Sequence, residues 1–173
     1  PPEPWERQDP QQLALADNIL ASMESIPMLD DERRLYLMLR LRLAVVQADN
    51  GGFAVIRKRL NGLGLNELEQ AEMAMLDGAV KLKSKGDASK LTDIIRDKEH
   101  PYRITGGRIL AQHALAETDY PQLLWAAAQC NVYDAFATAF ANITPEDLDQ
   151  MLADETGEYE SVQRQLFLRR ALW

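Results

Sequence analysis

Few side chains in this sequence are equipped to make or break bonds. There is one thiol, Cys130, and there are two imidazoles, His100 and His113. Glu99-His100 together with His113 and Glu117 could form a two-histidine, two-carboxylate metal site. Helical sites of that kind are built on Glu-x-x-His spacing, which this chain lacks. No metal site is therefore expected: His100 reads as a helix-end residue before Pro101, and His113 as a capped or core residue of the following helix. Cys130 lies in the Ala-rich stretch Leu123 to Ala141 with no base beside it. A nucleophilic cysteine needs surroundings that favour the thiolate, so a buried, inert thiol is expected. Gly51-Gly52 after Asn50 and Gly106-Gly107 after Thr105 resemble fragments of phosphate loops, but neither continues into the Gly-x-x-x-x-Gly-Lys-[Ser/Thr] pattern. Both read as turns at helix ends that require positive φ. The expectation is a protein that is not an enzyme and carries no cofactor.

Charge is the more informative chemistry. The 173 residues hold 27 acids and 19 bases, a net charge of −8. Residues 1–110 carry 17 acids against 16 bases, whereas 111–173 carry 10 against 3. Seven of the acids, Glu146, Asp147, Asp149, Asp154, Glu155, Glu158 and Glu160, fall between Ala141 and Ser161, where there is no Lys or Arg. Leu148, Met151, Leu152 and Tyr159 are interleaved with them, which predicts a folded amphipathic pair of helices over 141–163 and not a disordered acidic tail. One reading is solubilising charge. The other is a surface that attracts a basic partner, including one that nucleic acid would otherwise occupy. Direct binding of nucleic acid or anionic lipid through a whole-surface field is disfavoured by the same surplus. Arg57-Lys58-Arg59 is a basic triplet, but successive helical residues stand about 100° apart and cannot share one groove. It reads as a solvated face, with contact to an acidic partner or phosphate as the alternative.

The elements that would position these groups are helices. Apolar residues recur at spacings of three and four, and caps punctuate them. Asp9-Pro10, Asp119-Tyr120-Pro121 and Thr144-Pro145 each place a capping side chain before a first-turn proline. Leu13, Ala16, Leu20 and Met23 share a face of the first helix. Leu35 to Val46 is apolar nearly all round and reads as a central, buried helix ended by Asn50-Gly51-Gly52. Phe53 to Leu60 forms a third helix, and Asn66-Glu67-Leu68-Glu69 caps a fourth with Leu68, Ala71, Met75, Leu76 and Val80 inward. The fifth carries Leu91, Ile94 and Ile95, and the sixth Ile109, Leu110 and Leu115. Residues 123–141 divide into two helices near Gln129-Cys130-Asn131, and Tyr159, Val162 and Leu166 mark the last.

The expected fold is a single all-α domain over 1–173, of eight or nine helices in orthogonal or bundle-like packing, with 1–8 an extended N-terminal segment. A chain this long buries enough surface to fold without a disulfide or a metal. No stretch reaches the roughly 18 to 20 apolar residues of a membrane span. The opening Pro1-Pro2-Glu3-Pro4-Trp5 suggests a processed or trimmed start, so an upstream signal or anchor is left open. The single thiol suits the cytoplasm and is also compatible with a secreted helical protein.

The stretch from Leu35-Tyr36-Leu37 through Asn50-Gly51-Gly52-Phe53, followed by Leu63-Gly64-Leu65 and an amphipathic helix to Val80, resembles the core motif of a bacterial family of uncharacterised helical proteins that includes an acidic DNA-mimic protein. The resemblance covers about a quarter of the chain. Its pattern usually continues with aromatic residues and an Asn-Ser turn, whereas Ala54-Val55-Ile56-Arg57-Lys58-Arg59 follows here. What it implies is a helical fold and a regulator-binding role, with no catalytic residue. The leading expectation is a non-enzymatic interaction protein whose acidic C-terminal helices engage a basic, DNA-binding partner. The alternative is a helical scaffold, immunity or secretion-linked module that meets its partner through an apolar groove lined by Trp5, Trp125 or Trp173.

Overall fold

The computed structural model describes residues 9–171, with side chains to residue 168, and every regular element among them is an α-helix. Ten helices occur among the described residues, against the eight or nine expected, and they gather into two compact units, one ending at Lys85 and one beginning at Gly86. Segment 1–8, which includes Trp5, and the terminal Leu172 and Trp173 lie outside the described residues. No helix among the described residues is long and apolar enough to cross a membrane.

In the first unit, α1 (Pro10–Met23) starts where local chemistry dictates: the Asp9 carboxylate accepts from the Gln11 N–H and Pro10 occupies the first turn. Its inward side is thin, with Leu20 alone fully buried, while Leu15 and Ile19 and the following Ile26 are exposed. The second helix, α2 (Asp30–Val46), buries Tyr36, Leu37, Met38, Leu41, Leu43, Ala44 and Val45. It is the centre of its unit, yet Leu35 and Leu39 remain exposed, so the expectation of burial all round holds for only part of its circumference.

Asn50-Gly51-Gly52 does not end α2. Ala48 takes the left-handed conformation (φ 56°) two residues earlier, its N–H reaches the Val45 carbonyl, and the Asp49 N–H reaches that of Ala44. This is a Schellman end built without glycine. Asp49 then caps α3 (Asn50–Asn61) by accepting from the Gly52 N–H at 2.9 Å. A Cβ at Gly52 would press on that carboxylate, which is the movable end of a side chain. The glycine therefore accommodates the cap and is not required by it: Asp119 makes the same bond to Gln122. Residues Phe53, Ile56 and Leu60 face inward. Asn66 and Glu69 exchange backbone and side-chain hydrogen bonds, both 2.9 Å, at the start of α4 (Glu67–Lys85). That helix buries Met75, Leu76, Ala79 and Leu82, and leaves Leu68 exposed.

The second unit comprises α5 (Ser89–Arg96), α6 (Arg103–Ala116), α7 (Tyr120–Cys130), α8 (Tyr133–Asn142), α9 (Pro145–Leu152) and α10 (Glu160–Ala171). Leu91, Ile95, Leu110, Leu123, Leu124, Phe136 and Val162 form its core. The corner between α6 and α7 repeats that between α2 and α3: Thr118 is left-handed (φ 56°), the Asp119 N–H reaches the Ala114 carbonyl, and Asp119 caps the next helix through the Gln122 N–H. In each corner one aspartate closes a helix and opens the next. A further left-handed residue, Asn131, divides α7 from α8 where two helices were expected to meet.

Gly106-Gly107 is not a positive-φ turn. Both glycines lie inside α6 and are buried. A Cβ on Gly107 would overlap the Cys130 Sγ and sit 3.0 Å from the Cys130 Cβ, and one on Gly106 would meet the Ile94 Cγ2 at 3.4 Å. The pair lets α6 approach its neighbours closely, which is a tertiary requirement and not a turn. Leu115, expected in the core of this helix, is exposed.

Candidate functional site

The seven acids of the C-terminal window do not form one uniform surface. Thr144 caps α9 by accepting from the Asp147 N–H at 3.1 Å, and its hydroxyl donates to the Asp147 carboxylate at 2.7 Å, so Asp147 is engaged in holding the helix start. Asp154 organises the loop after α9: it accepts from the Thr156 hydroxyl at 2.8 Å and from the Tyr159 N–H at 3.3 Å. The Thr156 hydroxyl, followed by backbone N–H groups, holds the Asp154 carboxyl below the usual aspartate range. Burial, with the Glu158 and Asp154 charges, pushes the Tyr159 phenol up.

Glu158 reaches the Arg96 guanidinium at 2.5 Å, and its backbone carbonyl accepts from the Trp125 indole N–H at 3.1 Å. Glu160 pairs with Arg164 one turn on at 2.6 Å. Both pairs are half exposed, and pairs of that kind contribute about 1 kcal/mol or less. Three acids remain, Glu146, Asp149 and Glu155, all exposed and without an ion-pair partner among the described residues. Glu146 and Asp149 stand three residues apart on α9 and share its outer side, opposite the buried Met151.

Arg96, Lys98, Arg103 and Arg164 line a cleft of about 770 Å³ in the second unit, together with Glu158 and Glu160. Arg103 is fixed in it: Nε donates to the Ile95 carbonyl at 2.8 Å and Nη2 to the Gln129 carbonyl. Arg96 also stands 5.9 Å from the centre of the Trp125 ring. Sequence spacing gave no sign of this cleft, because Arg96 and Glu158 are separated by 62 residues.

Cys130 and His100 are each engaged within the second unit. Cys130 is buried; burial pushes its thiol up, against the opposing pull of Arg103 and Arg108. The thiol lies 3.6 Å from the Arg103 carbonyl. His100 lies in the turn between α5 and α6, beyond the Asp97 that closes α5, and not at the helix end expected; its Nδ1 accepts from the Tyr102 N–H at 3.2 Å. No set of three or more His, Cys, Asp or Glu side chains among the described residues is gathered to hold a metal ion. Trp125 is buried, so it is not available to line an exposed groove.

In the first unit the basic triplet divides as helical geometry requires. Arg57 reaches Asp77 of α4 at 2.6 Å and Arg59 reaches Glu24 at 3.3 Å. Asp77 and Glu72 are buried acids on an otherwise apolar side of α4, and Glu72 accepts two bonds from Arg42, 2.5 and 2.8 Å. The hint in the sequence is the register of Glu72 with Met75, Leu76 and Ala79, opposite Arg42 of the apolar α2; Asp77 is outside that register, and its partner Arg57 comes from α3. A second hollow of about 340 Å³ lies beside α1, with Asp17 and Arg40 in its wall joined at 3.0 Å.

Comparison with protein-family models, with curated proteins and with solved structures finds no match for this chain.

Proposed function

We propose that this chain is a non-enzymatic interaction protein, acting in the cytoplasm, whose α9 region takes a protein partner with a basic surface, one that otherwise holds nucleic acid. The observation that supports the reading most is exposure without neutralisation: Glu146, Asp149 and Glu155 lie in a stretch free of Lys and Arg and have no ion-pair partner among the described residues. Like charges held together at a surface raise its potential and steer an oppositely charged partner toward it. The resemblance of the Asn50 to Phe53 region to a family with an acidic DNA mimic points the same way. Asp147, Asp154, Glu158 and Glu160 contribute to the field while also holding local structure.

Charge reversal tests the proposal. Glu146→Lys, Asp149→Lys and Glu155→Lys in one chain should abolish capture of the partner held by the parent protein, with the helix content unchanged. Undiminished capture would sink the proposal.

A second reading, recognition through apolar contact, is favoured by one observation: Leu15, Ile19 and Ile26 recur along the exposed side of α1 and beyond its end. Under that reading Leu15→Ser with Ile19→Ser removes capture and the acidic reversals do not.

A further inference from the structure

Within the acidic second unit, cations outnumber carboxylates around the cleft of α5, α6 and α10. From Gly86 onward the chain has 14 acids and 8 bases. Four of those eight bases, Arg96, Lys98, Arg103 and Arg164, line the 770 Å³ cleft, against the two carboxylates of Glu158 and Glu160. The rest of the wall is supplied largely by neutral hydrogen-bonding side chains, among them Gln129, Asn131, Thr156 and Gln165. A volume of this size is that of a small-molecule site.

We propose that this cleft binds a small phosphate-bearing molecule whose oxygens take the positions on Arg96 and Arg164 now held by the Glu158 and Glu160 carboxylates. Three features carry the assignment. Arg103 is oriented in advance, because the carbonyls of Ile95 and Gln129 fix its Nε and Nη2 while Nη1 makes no hydrogen bond among the described residues. A guanidinium already held in place loses little freedom on meeting an anion. Lys98 is exposed and has no ion pair among the described residues. Arg96 and Arg164 already present their forks to oxyanions at 2.5 and 2.6 Å, and both pairs are half exposed and readily exchanged. Four cations against two carboxylates leave an excess of two positive charges, which a phosphate group balances with two charges on one compact tetrahedral centre, whereas carboxylates bring one charge each on separated planar groups.

Calorimetric titration of the full chain with inorganic pyrophosphate tests this, with citrate as the carboxylate arm. Saturable binding of one pyrophosphate per chain is expected, with citrate weaker. Lys98→Ala should weaken binding about tenfold. Glu158→Gln with Glu160→Gln should strengthen it, because the competing carboxylates are gone, whereas Glu117→Gln on the exposed end of α6 changes it far less. Circular dichroism confirms that each variant is folded. Absence of saturable heat, citrate binding as tight as pyrophosphate, or equal effects of the Glu158/Glu160 and Glu117 changes would overturn the proposal. None of these outcomes bears on partner capture by α9, so the two proposals fail separately.

Discussion

Replacing Gly107 by alanine sets two opposed effects against each other at one buried position. Alanine in a helix interior is favoured over glycine by about 1 kcal/mol, and on that ground alone the variant would be more stable. The new methyl, however, overlaps the Cys130 Sγ and lies 3.0 Å from the Cys130 Cβ. A side-chain end can rotate away, but a Cβ is fixed to the backbone, so α7 itself must retreat from α6. Overpacking of that kind costs about 1–3 kcal/mol. The net expectation is a loss of up to about 2 kcal/mol in urea denaturation followed by far-ultraviolet circular dichroism. Gly106→Ala is the internal comparison: its nearest neighbour, the Ile94 Cγ2 at 3.4 Å, is the end of a side chain, so this variant should be neutral or gain up to about 1 kcal/mol. Cys130→Ala removes the Sγ overlap while the Cβ contact stays. A double-mutant cycle between positions 107 and 130 should therefore show about 1 kcal/mol of coupling, with the double variant more stable than the single changes predict. If Gly107→Ala is as stable as the parent and additive with Cys130→Ala, the close-approach reasoning fails.

Glu72→Gln should cost about 1–3 kcal/mol, since it removes the charge that a two-point contact with Arg42 balances at a buried position. The same denaturation assay checks it, and a loss no larger than that from Glu160→Gln at the exposed Arg164 pair would contradict it. Asp154, whose folded pKa lies below its unfolded value of about 3.9, stabilises the fold above that pH, and the contribution is lost as pH falls through the folded value. Thr156→Val removes the largest cause and should move the Asp154 titration, followed by carboxyl-carbon NMR, back toward the unfolded value; an unmoved titration would refute the assignment.

What could be read in advance follows from the range over which each feature is determined. Asp9, Asp119 and Thr144 mark their helix starts correctly because capping involves a side chain and an N–H two or three residues away. The division at Asn131 is legible because asparagine tolerates the left-handed conformation. The ends of α2 and α6 are not, since Ala48 and Thr118 take that conformation without a residue type that announces it. A glycine pair is compatible with a turn, a cap and a close approach; at 107 the choice is made by Cys130, whereas Gly52 lies in the first turn of α3 capped by Asp49. The acidic window was visible as a composition. Its division into Asp147 at a cap, Asp154 in a loop, Glu158 on Arg96, Glu160 on Arg164 and three outward acids depends on packing across helices. The cleft was hidden for the same reason, because its four cations come from α5, α6, α10 and the segment after α5.

The central claim, capture of a basic partner by the outward acids of α9 and the loop after it, is tested most directly by the affinity of the captured partner at low and high salt, measured for the parent and for the chain carrying Glu146→Lys, Asp149→Lys and Glu155→Lys. The account predicts tight binding by the parent that weakens steeply as salt rises, and binding by the reversed chain that is weak at low salt already. Affinity that is indifferent to salt and equal in the two chains would contradict it.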